Sequence, residues 1–138
     1  MIDEIDLQII HLLNENSRLQ WKEIGKIIHM TGQGVAARIH KMEELGIIEK
    51  YTLKLNNKKL GMELTAFITV HMTTTDHKSF VTFLQTQDGV SEAHLTSGGG
   101  CFLLKVVMQG TEQLNQFLEL LLKYAGYTLV LSIDTVKG

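Results

Sequence analysis

Apolar residues recur at steps of three and four along the first third of the chain. They fall at Ile5, Ile9, Leu12 and Leu13, then at Trp21, Ile24, Ile27 and Ile28, then at Val35, Ile39, Met42 and Leu45. Each set lines one face of a helix with about 3.6 residues per turn. The spacing predicts a first helix over 3–15, with Asp3, Glu4 and Asp6 where the macrodipole favours anions. A second helix starts near Gln20. Thr31 is placed to cap a third, which Gly46 stops. The second and third meet at His29-Met30-Thr31, where apolar Met30 can plug the corner. This is a helix-turn-helix pattern.

After Gly46 the period changes. Residues 47–55 alternate, with Tyr51, Leu53 and Leu55 against Lys50, Thr52 and Lys54, and read as a strand. Residues 56–61 form a polar turn and a domain boundary. Beyond it the pattern predicts a strand over 64–72 and a helix over 76–87 capped by Asp76. A strand follows over 90–96, then a turn at 97–100 and a strand over 101–109. A helix over 111–125 capped by Thr111 and a last strand over 127–135 complete the chain. The order β-α-β-β-α-β is ferredoxin-like, with both helices on one face of an antiparallel sheet. The 101–109 strand is apolar on both sides, Phe102, Leu104, Val106 and Met108 against Leu103 and Val107. The last strand sets Leu129, Leu131 and Ile133 against Val130. A sheet apolar on both faces, with helices for one, calls for a partner sheet, and an identical copy supplies it. The fold class is α+β, divided into a helix-turn-helix domain over 1–47, a linker strand and turn over 48–61, and a ferredoxin-like domain over 62–138.

Charge adds a function class. The 138 residues carry a net charge of −2, which argues against an unspecific polyanion binder. Yet between Trp21 and Lys41 there are four basic residues, Lys22, Lys26, Arg38 and Lys41, against one acid, Glu23. The outward residues of the third helix, Gln33, Ala37, Arg38, His40 and Lys41, form a set able to read base edges or hold phosphates of duplex DNA. Arg38 suits a DNA contact; its alternative is an ion pair with an acid of the same domain. Lys22, Lys26 and Lys41 suit phosphates, or are solvated surface lysines. Gly32 and Gly34, beside Thr31, allow the helix N-terminus to approach phosphate closely, or are tolerated small residues.

Other chemistry is thin. The single cysteine, Cys101, excludes an intramolecular disulfide and suits a reducing compartment. No apolar run nears the roughly 18 residues of a membrane span, and the acidic N-terminus is no secretion signal. These features predict a cytoplasmic protein. Six histidines show no zinc spacing, although His71 and His94 fall on strands and can share a face. No cofactor, metal or catalytic constellation is expected.

Ile5-Asp6 through Leu13, Ser17-Arg18-Leu19, Glu23-Ile24-Gly25-Lys26, and Thr31 with Val35, Arg38, Ile39, Met42-Glu43 and Leu45-Gly46-Ile47-Ile48 complete a wider pattern. With Gly98 and Phe102-Leu103-Leu104, the chain resembles the Lrp/AsnC family of regulators along nearly its whole length. The resemblance implies a winged-helix-like N-terminal domain, transcriptional control, and dimers that often assemble to octamers. It also implies a small-molecule effector site at Ser97, Gly98, Gly99, Gly100 and Cys101. Two departures stand out. An acidic residue is usual three positions after the glycine aligned with Gly98, and here that position is Cys101. The recognition helix often opens with Ser and Pro, and here it opens Thr31-Gly32-Gln33-Gly34. Without the carboxylate, free amino acids should bind weakly or not at all. Two other readings are an architectural DNA-compacting protein and an enzyme like siroheme decarboxylases, which resemble this family. The absence of arginine after Arg38 weakens the latter.

Overall fold

The computed structural model describes residues 1–98 and 101–138. The chain divides into two compact units, Met1–Lys54 and Leu55–Gly138. The division falls inside the stretch expected to link them.

The first unit holds three helices, α1 (Glu4–Glu15), α2 (Trp21–Ile28) and α3 (Gly32–Glu44). Asp3 caps α1 in a reciprocal box: its carboxylate accepts the Asp6 N–H at 3.0 Å, and the Asp6 carboxylate accepts the Asp3 N–H at 3.0 Å. Gln20 precedes α2 without a side-chain cap bond. The α2–α3 corner is tight. His29 takes the left-handed conformation at φ 61°, and the Met30 N–H reaches the Gly25 carbonyl at 2.8 Å. A Cβ on Gly25 would stand 2.4 Å from the Met30 carbonyl oxygen, so the turn needs glycine there. Thr31 then caps α3, accepting the Gly34 N–H at 3.0 Å. Ile9, Ile24, Val35, Ile39 and Met42 are fully buried between the three helices.

Gly46, at φ 74°, ends α3. The strand expected over 47–55 does not form: residues 49–56 carry no regular structure, and no hairpin wing follows α3. A strand needs a ladder partner, and this segment has none among the described residues. Tyr51, Leu53 and Leu55 are accordingly exposed, Leu53 to 79%. The polar turn contains a single 3-10 turn, Lys58–Leu60, closed by Gly61.

The second unit is β1 (Leu64–Met72), α4 (His77–Gln85), β2 (Val90–Leu95), β3 (Cys101–Met108), α5 (Thr111–Leu121) and β4 (Ala125–Leu131). The sheet runs β2-β3-β1-β4, all pairs antiparallel. Asp76 caps α4, accepting the Ser79 N–H. Thr111 is not a cap: Gly110 precedes α5 without a side-chain bond, and Thr111 is its first helical residue. The last strand begins earlier and ends earlier than its apolar pattern suggested. Ala125 already pairs with Met72, whereas the last ladder pair is Leu131 with Ala66, and the final bond is Ser132 N–H to the Thr65 carbonyl, near the start of β1. Ile133 is therefore outside the sheet and 93% exposed.

Alternation decides the two faces. Ala66, Ile68 and Val70, with Phe102, Leu104, Val106 and Met108, face the helices and pack on Phe80, Leu84, Leu114, Phe117 and Leu121. The opposite face is mixed. Phe67, Leu103, Val107 and Val130 share it with Thr65, Thr69, Thr128 and Lys105, as the register dictates. Phe67 and Leu103 are each 39% exposed and Val130 63%. His71 and His94 lie on this face too, opposite Cys101 and Leu103.

Candidate nucleic-acid interface and effector turn

The buried stripe of α3, Val35, Ile39 and Met42, fixes which residues turn outward. Gln33, Ala37, His40 and Lys41 are exposed. Gln33, Ala37 and His40 follow one another at helical spacing and form a single ridge. The N–H groups of Gly32 and Gln33, in the first turn, have no acceptor inside the helix. Lys22 stands beside this N-terminus: its Cα is 3.4 Å from the place a Cβ on Gly32 would occupy. Lys22 and Lys26 are exposed and, among the described residues, enter no ion pair. Lysine, a free helix N-terminus and a glycine without a side chain together make a surface suited to a phosphate.

Two residues expected on this surface are held elsewhere. Arg38 takes the ion pair that was its alternative role. Its Nη1 donates to Asp3 Oδ1 at 2.7 Å and Oδ2 at 2.8 Å, and to Asp6 Oδ1 at 3.0 Å. The physical reason is burial: Asp6 is 1% exposed, and a buried carboxylate demands a partner. The guanidinium in turn holds the Asp3 carboxyl down at about 2, helped by the Asp6 N–H. Lys41 donates from Nζ to the Met1 carbonyl at 3.0 Å. His40 stays on the outer ridge, its ring edge-on to Trp21 at 5.5 Å and Nδ1 3.1 Å from Glu43. Trp21, 40% exposed, flanks the ridge rather than filling the core. Its place was not readable from periodicity, because it occupies the apolar position at the start of α2, where the stripe meets solvent.

In the second unit, β2 ends and β3 begins at the expected effector turn. Ser97 is exposed, and Gly98 has φ 91°, open to glycine without strain. Gly99 and Gly100 lie outside the described residues. The Cys101 carbonyl accepts both the Thr96 N–H at 2.9 Å and its hydroxyl at 3.0 Å. The Cys101 thiol lies 3.3 Å from His71 Nδ1 and 3.6 Å from the Gly98 carbonyl. No aspartate or glutamate forms a bond here among the described residues.

Residues 2–43 match the model of the AsnC-type helix-turn-helix domain, and residues 65–137 match that of the Lrp/AsnC ligand binding domain. The chain belongs to the Lrp/AsnC family. It is 50% identical over 136 residues to the HTH-type transcriptional regulator LrpB of Bacillus subtilis, covering 99% of this chain and 91% of that one. It is 37% identical over 134 residues to LrpA of the same organism, covering 96% and 98%. Among solved structures, B. subtilis LrpC matches with a TM-score of 0.94 at 28% identity, covering 99% and 98%. A Neisseria meningitidis transcriptional regulator in complex with L-Met shares the Lrp/AsnC fold with a TM-score of 0.93 at 21% identity, covering 100% and 94%. The family model gives this chain a DNA-binding helix-turn-helix and a ligand-binding domain, and its named relatives are transcriptional regulators.

Proposed function

We propose that this protein is an oligomeric transcriptional regulator that reads duplex DNA in the major groove with α3. Gln33, Ala37 and His40 face the bases. Lys22 and the first turn of α3, Thr31, Gly32, Gln33 and Gly34, hold phosphate. The observation that carries the reading is the exposed ridge of α3 beside Lys22, which enters no ion pair among the described residues, in a chain of this family. It acts by binding and not by catalysis, as its named relatives suggest. No helix among the described residues is long and apolar enough to cross a membrane, in keeping with a cytoplasmic regulator.

Enrichment of duplexes from a random pool, followed by footprinting, tests this function. The expected result is discrete protected half-sites about one helical turn, roughly 10 base pairs, apart. Uniform coating of every duplex would instead identify a DNA-compacting protein, and no retention of DNA would sink both readings.

The effector turn, Ser97 to Cys101, is proposed to take a small ligand. A carboxylate of that ligand can bond to backbone N–H groups, whereas an ammonium group finds a thiol and an imidazole in place of an anion. A lost charge-assisted bond weakens binding by about 1.5 to 3 kcal/mol. Calorimetry with the twenty amino acids, L-methionine included, should therefore give dissociation constants weaker than about 100 μM. A tighter value for any of them would show that the carboxylate is dispensable.

A further inference from the structure

The start of α1 grips the middle of α3. Arg38 Nη1 bonds both Asp3 oxygens and Asp6 Oδ1, while Asp3 Oδ1 and Asp6 Oδ2 also accept the two N–H groups that close the α1 capping box. Three turns of chemistry are thus joined in one network: the cap of α1, a carboxylate that is 1% exposed, and the central guanidinium of α3. Lys41, on the same side of α3, is tied to the Met1 carbonyl. Among the described residues, Gln33 and Ala37 make no such side-chain bond.

We infer that Asp3 and Asp6, acting through Arg38, set the position of α3 on its domain, and that Arg38 is a positioning residue and not a DNA contact. The inference rests on the reading of α3 as the DNA-reading helix. Charge supports it. One guanidinium between two carboxylates leaves a cluster of net negative charge, a poor anchor for phosphate. Geometry supports it as well: the guanidinium is turned to α1, one position and about 100° around the helix from Ala37.

The two roles predict opposite signs for one substitution. If Arg38 grips DNA, removing the charge of Asp3 frees the guanidinium and strengthens binding. If Arg38 positions α3, the same change loosens the helix and weakens sequence-preferring binding. The probes are a duplex enriched from a random pool by the unaltered protein and a random duplex of equal length, each titrated at several salt concentrations. Asp3 is half exposed and its loss leaves the Asp6–Arg38 bond in place, so Asp3→Asn is the main variant, with circular dichroism to verify the fold.

Asp3→Asn and Arg38→Gln should each weaken binding to the enriched duplex about tenfold, with no loss on the random duplex and an unchanged salt slope. Arg38→Lys, which can still reach one carboxylate, should recover part of the loss. Emission from Trp21, the only tryptophan, reports α3 through its contact with His40 and should shift in Asp3→Asn. Unchanged or tighter binding by Asp3→Asn overturns the inference, as does a salt slope flattened by about one in Arg38→Gln. Gln33→Glu separates the two levels. Weak binding by Gln33→Glu beside normal binding by Asp3→Asn defeats only the positioning role. Normal binding by Gln33→Glu defeats the reading of α3 itself.

Discussion

Glycine and histidine at the α2–α3 corner do opposite things. Gly25 is required, because an added Cβ would meet the Met30 carbonyl oxygen at 2.4 Å, and backbone cannot step aside cheaply. Gly25→Ala should lower unfolding free energy by about 1 to 3 kcal/mol in denaturant titration. His29 holds a left-handed conformation that a side chain disfavours by roughly 1 kcal/mol. His29→Gly should therefore raise stability by up to about that amount in the same assay. Asp3 gives a pH dependence. Its carboxyl titrates at about 2 in the folded chain, below the ordinary 3.8. A depressed carboxylate contributes stability above its unfolded pKa, and that contribution fades as the pH falls through the folded value. Acid unfolding of the native chain should thus steepen between about pH 4 and pH 2. Asp3→Asn should be less stable at neutral pH, with the gap to the native chain closing near pH 2. Parallel curves across that window would show that the Arg38 bond adds no stability.

Two threonines sit where a cap belongs, and only one caps. Thr31 accepts the Gly34 N–H, so Thr31→Ala should cost about 1 kcal/mol. It should also weaken DNA binding, since the first turn of α3 faces phosphate in the proposed function. Thr111 is already inside α5 and caps nothing. Thr111→Ala should change stability by less than about 0.5 kcal/mol in thermal unfolding. The helices were legible because their signals lie within a few residues of one another: apolar steps of three and four, a hydroxyl or carboxylate before, a glycine after. The strand expected over 47–55 was not so determined. Its alternation is real, but a strand exists only against a neighbouring strand, and among the described residues no strand forms a ladder with it. The bulge between Val90 and Glu92 and the early end of β4 are likewise decided across the ladder.

At the scale of the whole molecule, the outer face of the sheet is where assembly is proposed. Phe67, Leu103, Val107 and Val130 form an apolar group among threonines. Val107→Lys, which would place a charge against that group, should dissociate the oligomer, with the unaltered chain sedimenting as a dimer or larger species. A mass of 15.5 kDa for the unaltered chain throughout the micromolar range would remove the case for assembly.

The periodicity of the sequence by itself determined the three first helices, the β-α-β-β-α-β order that follows and the alternation of its strands. These follow from spacing along the chain, where neighbours in sequence are neighbours in space. The helix-turn-helix and the turn between β2 and β3 were legible for the same reason. Spacing did not determine the 47–55 segment, and Ile27 and Leu45, on the apolar helix pattern, are 54% and 53% exposed. Tertiary structure alone decided what Arg38 does. Its partners stand 35 and 32 residues away, and no local pattern says which of several cations a buried Asp6 will meet. The contact of His71 with Cys101 is of the same kind: the strand register brings together residues 30 apart. Sequence spacing fixes the face a side chain points from, and only packing fixes what it finds there.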